Sequence, residues 1–417
     1  MSNWLAETLS KAEQVNDWLT PKRELSLALL KNTPWPTRQI EAWKYTPVNA
    51  IERSSFDKAT TNETTAAIDI ANLSSLDLIF VDGILQTQAL AEDLPPGLSI
   101  SSLSDSNNNA WALNSFNQTK PNRHFFGLIN DVLATQGCII AVEEGANITQ
   151  PIRIVQSFSA GSQSHARIIM HVAKNAKATV IEQLTGNDLS LNTSFAEYQI
   201  DDNAHLEHYR LALQCEQAIS LGGCHFNLGE SSTLDSNLIG FGSQLSRVDM
   251  DIIHGGEHSH AKLNVIYLLD GKEVFDLHSA IEHTKPHGQS EQNVRCIVAD
   301  RANAIFNGRI HIHRDAQKIL AEMNNRNLLM SENAQINTKP ELEIYADDVR
   351  CAHGATIAEI DEEAMFYLQS RGISRADAQV MLSFGFINEL VDQMNNEAIA
   401  HWLRPILRQR FASMEIR

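Results

Sequence analysis

The stretch Asn175-Ala176-Lys177-Ala178-Thr179-Val180-Ile181-Glu182 joins a polar turn to a short run rich in β-branched residues. Similar turns recur at Gly145-Ala146-Asn147-Ile148, Asn203-Ala204-His205-Leu206, Ser231-Ser232-Thr233-Leu234, His260-Ala261-Lys262-Leu263 and Gln289-Ser290-Glu291-Gln292. Counted on the second residue, they fall at positions 146, 176, 204, 232, 261 and 290, so the steps are 30, 28, 28, 29 and 29 residues. A step this constant indicates a repeat architecture.

The segments between these turns are short and rich in Ile, Val and Leu, which is typical of strands. Arg167-Ile168-Ile169-Met170-His171-Val172 and Leu263-Asn264-Val265-Ile266-Tyr267-Leu268 are examples. With about two or three short strands per step, each coil must stack on the next to bury its apolar face. We therefore predict a mainly β protein with a parallel β-helix core, a single stacked coil without conventional pairs of sheets. A β-sandwich or jelly roll is the second choice, because those folds rarely keep so even a period.

The flanking regions differ from this core. Residues 1–115 predict a helical region with linkers at 57–75 and 101–110, and with a strand pair at 78–85 turning at Asp82-Gly83. Residues 116–345 form the predicted β-helix core. Residues 346–417 predict a C-terminal helical domain, where Ser374-Arg375-Ala376-Asp377 is a typical helix start.

Composition limits the classes of function. The net charge of −18 argues against binding to nucleic acid or to an anionic membrane surface. No apolar run is long enough to cross a bilayer, and the first residues do not resemble a signal peptide. Five scattered cysteines, with no C-x-x-C pair, favour a reducing compartment over a disulfide framework. We expect a cytoplasmic protein.

The β-type pattern gives way to a helical one just after Asp347-Asp348-Val349-Arg350-Cys351-Ala352-His353-Gly354-Ala355-Thr356. In an extended segment Cys351 and His353 project to the same side, so both can face one metal centre. Thiolate and imidazole suit zinc, copper or an iron–sulfur centre. Such a centre needs about four ligands, so the others must come from elsewhere in the fold or from another chain. The alternative is that Cys351 is a small core residue and His353 a turn residue.

Histidine is concentrated in one region, at His254, His258, His260, His278, His283, His287, His311 and His313. His258/His260 and His311/His313 are H-x-H pairs, and each pair shares a face if its strand is extended. These pairs suit metal binding, although each still lacks a third and a fourth ligand. The alternative is that they stand on a solvated strand face or in a polar ladder between coils.

Known catalytic motifs are absent from the sequence. There is no nucleophile elbow, no H-E-x-x-H helix and no phosphate-binding loop, so we expect no enzyme activity and no bound nucleotide. A β-helix could still be a carbohydrate-active enzyme that uses paired carboxylates. Asp249, Asp251, Asp300 and Asp315 are the acids available for such a role.

Several stretches together resemble one family. They are Phe306-Asn307-Gly308-Arg309-Ile310-His311-Ile312-His313, Asn324-Asn325-Arg326-Asn327-Leu328-Leu329-Met330-Ser331, Pro340-Glu341-Leu342-Glu343-Ile344, the stretch from Asp347 to Thr356, and Asp361-Glu362-Glu363-Ala364-Met365-Phe366-Tyr367-Leu368. These stretches resemble the SufB/SufD family of iron–sulfur cluster assembly proteins. The segment Trp43-Lys44-Tyr45-Thr46 and the chain length look more like its SufD members than the longer SufB.

The resemblance implies a right-handed parallel β-helix flanked by helices, in a non-ATPase subunit of a SufBCD complex. It also implies pairing with SufB through the β-helix, and binding of the SufC ATPase through the C-terminal helices. The family's Cys-x-His maps to Cys351 and His353, and His353 is the stronger candidate for contributing to a transient iron–sulfur cluster shared with SufB. Whether the isolated chain forms a homodimer stays open.

Three hypotheses remain at this point. The chain shares a cluster site with SufB through Cys351 and His353, or it is a cytosolic carbohydrate-active β-helix enzyme. In the third, it is a purely structural pairing module and SufB carries all the chemistry.

Overall fold

The fold is a β-solenoid of about eight turns with helices at both chain ends. A computed structural model describes residues 3–56, 69–86, 94–105, 110–214 and 216–414. The strands are β1 Leu76–Val81, β2 Ile84–Leu85, β3 Leu98–Ser102, β4 Gln136–Val142, β5 Ile152–Ser157, β6 Gln163–Val172, β7 Lys177–Thr185, β8 Leu191–Ile200, β9 His205–Ala212, β10 Ile219–Leu228, β11 Thr233–Phe241, β12 Leu245–His254, β13 His260–Leu269, β14 Val274–His283, β15 Gln289–Val298, β16 Asn303–Ile312, β17 Ile319–Leu329, β18 Gln335–Ile344 and β19 Val349–Glu359. The helices are α1 Asn3–Ala12, α2 Thr20–Asn32, α3 Asn49–Arg53, α4 Ala110–Ser115, α5 Phe125–Leu133, α6 Glu362–Ser370, α7 Arg375–Asp392 and α8 Glu397–Ser413.

The strands form two facing sheets. The first sheet has ten strands in the order β19-β17-β15-β13-β11-β9-β7-β5-β1-β2, and the second has nine in the order β18-β16-β14-β12-β10-β8-β6-β4-β3. All neighbours are parallel except β1 with β2 and β3 with β4, which are antiparallel. Each coil thus contributes one strand to each sheet. The parallel coil is confirmed, but the expectation of a coil without paired sheets was wrong, because each repeat holds two long strands that face each other.

The predicted turns mark one edge of the coil. Asn175, Asn203 and Ser231 have φ values of 59°, 56° and 54°, the left-handed conformation that a tight turn between strands requires. The first four predicted turns are equivalent to one another in the coil, since Lys177 pairs with His205 and His205 with Thr233.

The fifth turn lies two residues earlier than predicted. It is His258 that has a φ of 57°, and His260 pairs with Thr233 at a step of 27 residues. His260 therefore opens strand β13 and does not begin a turn.

The described residues form four apolar cores, the smallest of which surrounds Phe116. The first fills the inside of the coil, along strand residues such as Val180, Leu206 and Val265. In the second, α7 and α8 pack on the outer face of the first sheet. In the third, the N-terminal helices and α5 pack on the outer face of the second sheet. Each sheet is therefore covered on both faces over much of its length.

The two ends of the coil differ. At the N-terminal end, the β1–β2 hairpin and the antiparallel strand β3 close the sheets. The hairpin turns at Asp82 and Gly83, both with positive φ, as predicted. At the C-terminal end, β18 and β19 are edge strands. Strand β19 runs to Glu359, so the ladder continues past residue 345, where the sequence prediction ended the core.

Side-chain caps mark the starts of α6 and α7, and the cap of α7 was predicted from the sequence. Asp361 accepts hydrogen bonds from two backbone N–H groups at the start of α6, and Ser374 accepts one from Asp377 at the start of α7. Of the two predicted linkers, residues 57–68 and 106–109 lie outside the described residues.

Candidate functional site at the open end of the coil

Strand β19, which carries Cys351 and His353, is the last strand of the first sheet. It pairs in parallel with β17 on one side, and no described strand pairs with its other side. Every residue from Ala352 to Glu359 is exposed. An edge strand of this kind presents unpaired backbone groups that can extend a sheet into another chain.

Cys351 and His353 both lie on the face of β19 that continues the inside of the coil. Cys351 is in register with Ala321 and His353 with Met323, and both partners are buried in the interior core. Alternation along the strand therefore gives the two side chains a common direction, as predicted. Cys351 packs against the interior core and is half-buried, whereas His353 is exposed because the coil ends there.

The chemistry of this pair requires further ligands. Burial raises the pKa of the Cys351 thiol, so the isolated chain keeps it protonated at neutral pH. A metal ion would displace that proton and bind the thiolate. Among the described residues, neither Cys351 nor His353 belongs to a group of three or more close ligand side chains. The site is incomplete within the described chain.

An apolar rim surrounds the open end. Leu320, Ile344, Tyr345 and Ile357 are large apolar side chains on or beside the last strands, and all four are exposed. Exposed apolar side chains grouped in this way are typical of protein interaction surfaces. A second such group lies on the C-terminal helices, where Phe366 is 72% exposed, and Tyr367 and Met381 are also exposed.

The predicted H-x-H pairs have different outcomes. His258 and His260 do not act as a pair, because His258 lies in a turn and stacks on His287 of the next coil, with ring centroids 4.4 Å apart. His311 and His313 do stack on each other at 4.3 Å. Burial, the neighbouring His313 and Arg309 lower the pKa of His311. A carboxylate, Glu282, joins these two rings in a group of three close ligand side chains.

Two other groups of this kind are buried. The first consists of His124, His225 and Asp251 on the outer face of the second sheet. Asp251 bonds both rings at 2.7 Å, and Nδ1 of His124 lies 3.3 Å from Asp249. Arg247 bonds Asp249 at 3.0 Å. Both ring nitrogens of His124 are therefore occupied, and a cationic side chain already balances the carboxylates. This group ties the N-terminal region to the sheet.

The second buried group lies inside the coil. It consists of Glu182, His208 and Cys224, and Arg210 lies among them. The Arg210 guanidinium donates a hydrogen bond to Glu182 at 2.6 Å and contacts the Cys224 sulfur at 3.3 Å. Although burial opposes ionisation, Arg210 and His208 lower the pKa of Glu182 to about 2. This charged interior was not predicted from the sequence. The one sequence feature that could have indicated it is a Glu and an Arg at inward-facing positions of two strands that are one coil apart.

The acids available to a carbohydrate-active enzyme do not converge. Asp249 and Asp251 are buried in the ion pairs described above. Asp300 and Asp315 lie in turns at the two ends of β16, a strand of ten residues. Such a strand is roughly 30 Å long, too long for a carboxylate pair across one glycosidic bond. The described residues thus give this hypothesis no support.

None of the described helices combines the length and the apolar character that crossing a membrane requires.

Two family models match the chain. Residues 154–386 match the SufBD core domain of SUF-system FeS cluster assembly, and residues 6–154 match the SufBD protein N-terminal region. Together they cover the β-solenoid and most of the flanking helices.

Individual proteins are similar over nearly the whole length. The iron–sulfur cluster assembly protein SufD of Escherichia coli is 32% identical over 403 residues, which is 94% of this chain and 93% of that protein. A SufBD family protein of Synechocystis is 26% identical over 90% of this chain and 87% of its own length. The chloroplastic protein ABCI7 of Arabidopsis thaliana is 27% identical over 95% and 86%, respectively. From its two family-model matches and its identity to SufD, the chain belongs to the SufBD family of SUF-system iron–sulfur cluster assembly proteins.

Proposed function

We propose that this chain is a non-ATPase subunit of a SufBCD-type scaffold, and that it supplies part of a site where a nascent iron–sulfur cluster forms. The cluster is cargo, shared transiently with a SufB partner. The observation that carries the proposal is the position of Cys351 and His353. They lie on the interior-facing side of an unpaired edge strand, with too few ligands to complete a centre.

The open end of the coil is the proposed contact with SufB. Both edge strands, β18 and β19, can accept a strand from a partner coil, and the exposed Ile344 and Ile357 can be buried in the same contact. A partner that continues the coil would bring its own side chains opposite His353. The missing ligands would then come from the second subunit.

The C-terminal helices are the proposed contact with the SufC ATPase. Helix α7 buries Ile387 and Leu390 against the first sheet, while Met381 on the same helix is exposed. Phe366 and Tyr367 of α6 are exposed as well. These apolar side chains have no described partner that buries them, which suits a docking surface.

The test is His353→Ala in a complex purified with its SufB and SufC partners. Loss of a ligand should reduce iron and acid-labile sulfide per complex by at least about tenfold. His258→Ala is the matched control, because His258 is an exposed histidine on a turn well before the last coils. Gel filtration of both variants separates loss of cluster from loss of assembly.

The outcome also decides between a shared site and a structural pairing module. If His353→Ala and a Cys351→Ser/His353→Ala double variant assemble and keep normal iron and sulfide, the chain contributes no ligand and the proposal is wrong. A smaller loss for Cys351→Ser than for His353→Ala would assign Cys351 mainly to packing against the interior core.

A further inference from the structure

A row of ligand-type side chains crosses the outer face of the second sheet near the open end. His311 of β16 is in register with Glu282 of β14 on one side and with Glu343 of β18 on the other. His313 follows directly after β16. Parallel neighbours lie about 4.8 Å apart, so side chains in register on one face are adjacent. All four side chains are partly accessible to solvent.

We propose that Glu282, His311 and His313 form a binding site for a divalent first-row transition-metal ion. The His313 Nε2 atom lies 3.3 Å from Glu282 Oε2, and the two imidazole rings stack at 4.3 Å. Ligand atoms about 2.0–2.1 Å from a tetrahedral ion are separated by roughly 3.3 Å, so this spacing already suits a shared ion. Two imidazoles and one carboxylate favour zinc, iron(II) or cobalt(II) over magnesium or calcium.

Glu343 acts as a positioning residue for this site. Its Oε2 atom lies 3.4 Å from His311 Nδ1, and the Arg309 guanidinium contacts the same nitrogen, so an ion on this ring would bind Nε2. A carboxylate that accepts the second N–H of a ligating histidine fixes the ring and its tautomer. Arg309 balances the charge of Glu343 with two hydrogen bonds of 3.0 Å.

The same arginine must shift from His311 when an ion binds, because its Nη2 atom contacts Nδ1 of His311, the nitrogen that would donate to Glu343. Arg309 also contacts Glu282, but through Oε1, whereas Oε2 is the atom that faces His313. Glu282 can therefore keep its hydrogen bond to the guanidinium while its other oxygen binds an ion.

This group differs from the two buried groups in its access to solvent. In the group of His124, His225 and Asp251, the carboxylate bonds both rings and all three side chains are buried. The group around Glu182 surrounds a buried guanidinium. An ion would have to displace those contacts inside the protein. At His311 and His313 it can arrive from solvent.

The site is independent of the proposed cluster site. Its residues stand on the outer face of the second sheet, whereas Cys351 and His353 lie on the interior face of the first. Either site can fail its test while the other holds.

The experiment is a cobalt(II) titration of the full chain, free of any affinity tag, in a Cys351→Ser/His353→Ala background. Binding is followed by calorimetry and by the visible absorption of cobalt, with competition by zinc(II) and by magnesium(II). We expect one equivalent of cobalt that zinc displaces and magnesium does not. A His311→Ala/His313→Ala variant should lose this binding, and Glu282→Gln and Glu343→Gln should each weaken it by about tenfold or more.

His258→Ala/His287→Ala is the matched control. These rings also stack in solvent-accessible turns, but among the described residues no group of three ligands includes them. Binding retained by the control and lost in His311→Ala/His313→Ala supports the site. Binding that survives in His311→Ala/His313→Ala, or that falls equally in the control, overturns it, and circular dichroism of each variant checks that the fold is intact.

Discussion

At the scale of single residues, the charge pair inside the coil has a strong effect on stability. Glu182 and Arg210 are both buried and directly hydrogen-bonded. Replacing Arg210 with leucine leaves the carboxylate without its cation, so we expect a loss of about 3–5 kcal/mol in unfolding free energy. Urea denaturation at pH 7 measures this loss.

A double variant distinguishes charge from packing. Glu182→Gln together with Arg210→Leu removes both charges, and it should be clearly more stable than Arg210→Leu alone. If the two variants are equally destabilised, the loss comes from the changed shape of the interior, and the uncompensated charge is not its cause.

The stacked pair His254 and His283 predicts a dependence of stability on pH. Both rings are buried, and burial lowers both pKa values, that of His283 to about 3. The serines that face them, Ser259 and Ser290, are neutral hydrogen-bond partners. The unfolded chain protonates both rings at about pH 6.5, whereas the folded chain does so only at lower pH. The contribution of the two rings to the free energy of unfolding is therefore complete above that pH, and it falls as the pH decreases towards the folded-state pKa values. The slope is up to about 1.4 kcal/mol per pH unit for each ring.

The measurement is the urea midpoint between pH 7.5 and pH 4.5 for the wild type and for His254→Gln/His283→Gln. Glutamine keeps a hydrogen-bonding group but does not titrate, so the variant should have a shallower slope whatever its absolute stability. An identical slope in both proteins would assign the acid sensitivity to other groups.

At the scale of elements, the sequence predicted what is periodic and local. Turn residues such as Asn175 and Asn203 predicted the step of the coil, and Ser374 predicted the start of α7. The predicted register is wrong at His258 because histidines stand at both 258 and 260. Residue type therefore does not distinguish a step of 27 residues from one of 29. The pairing of the two sheets was missed because alternation within a strand does not say what lies across the coil.

The candidate site was predictable only in part, for the same physical reason. Cys351 and His353 are two residues apart, so strand geometry alone gives them a common face. Glu282 and His311 are 29 residues apart and become neighbours only through the exact stacking of coils. The charged pair of Glu182 and Arg210 has the same origin, since its members are 28 residues apart in sequence.

Packing of α8 on the first sheet gives a prediction for this element. Leu403 is fully buried between α8 and the sheet, so Leu403→Ala should lower the unfolding free energy by about 2–5 kcal/mol. Met381→Ala is the control, because Met381 is 52% exposed and its truncation should change stability by about 0.5 kcal/mol or less. Thermal and urea unfolding measure both, and a small effect at Leu403 would mean that α8 docks weakly.

At the scale of the whole molecule, one end of the coil is closed and the other is open. The hairpin of β1 and β2 and the antiparallel β3 close the first end. Helices cover the outer faces of both sheets, so the edges of β18 and β19 are where the described sheets can grow. Repeat proteins need terminal repeats with a polar outer face to remain soluble, and the apolar side chains at this end do not provide one. The open end therefore favours a partner coil, and a second copy of this chain when no other partner is present.

Ile357→Glu tests that expectation. Ile357 stands on β19 and is 51% exposed, and a carboxylate there would be buried without a cation in any contact that continues the sheet. We expect the wild type to self-associate as its concentration rises, and the variant to remain monomeric with unchanged thermal stability. Analytical ultracentrifugation measures the association. Leu25→Glu on α2 is the control, because Leu25 is also an exposed apolar residue and lies far from the edge in sequence. Association that persists in Ile357→Glu but is lost in Leu25→Glu would move the contact from the open end of the coil to the N-terminal helices.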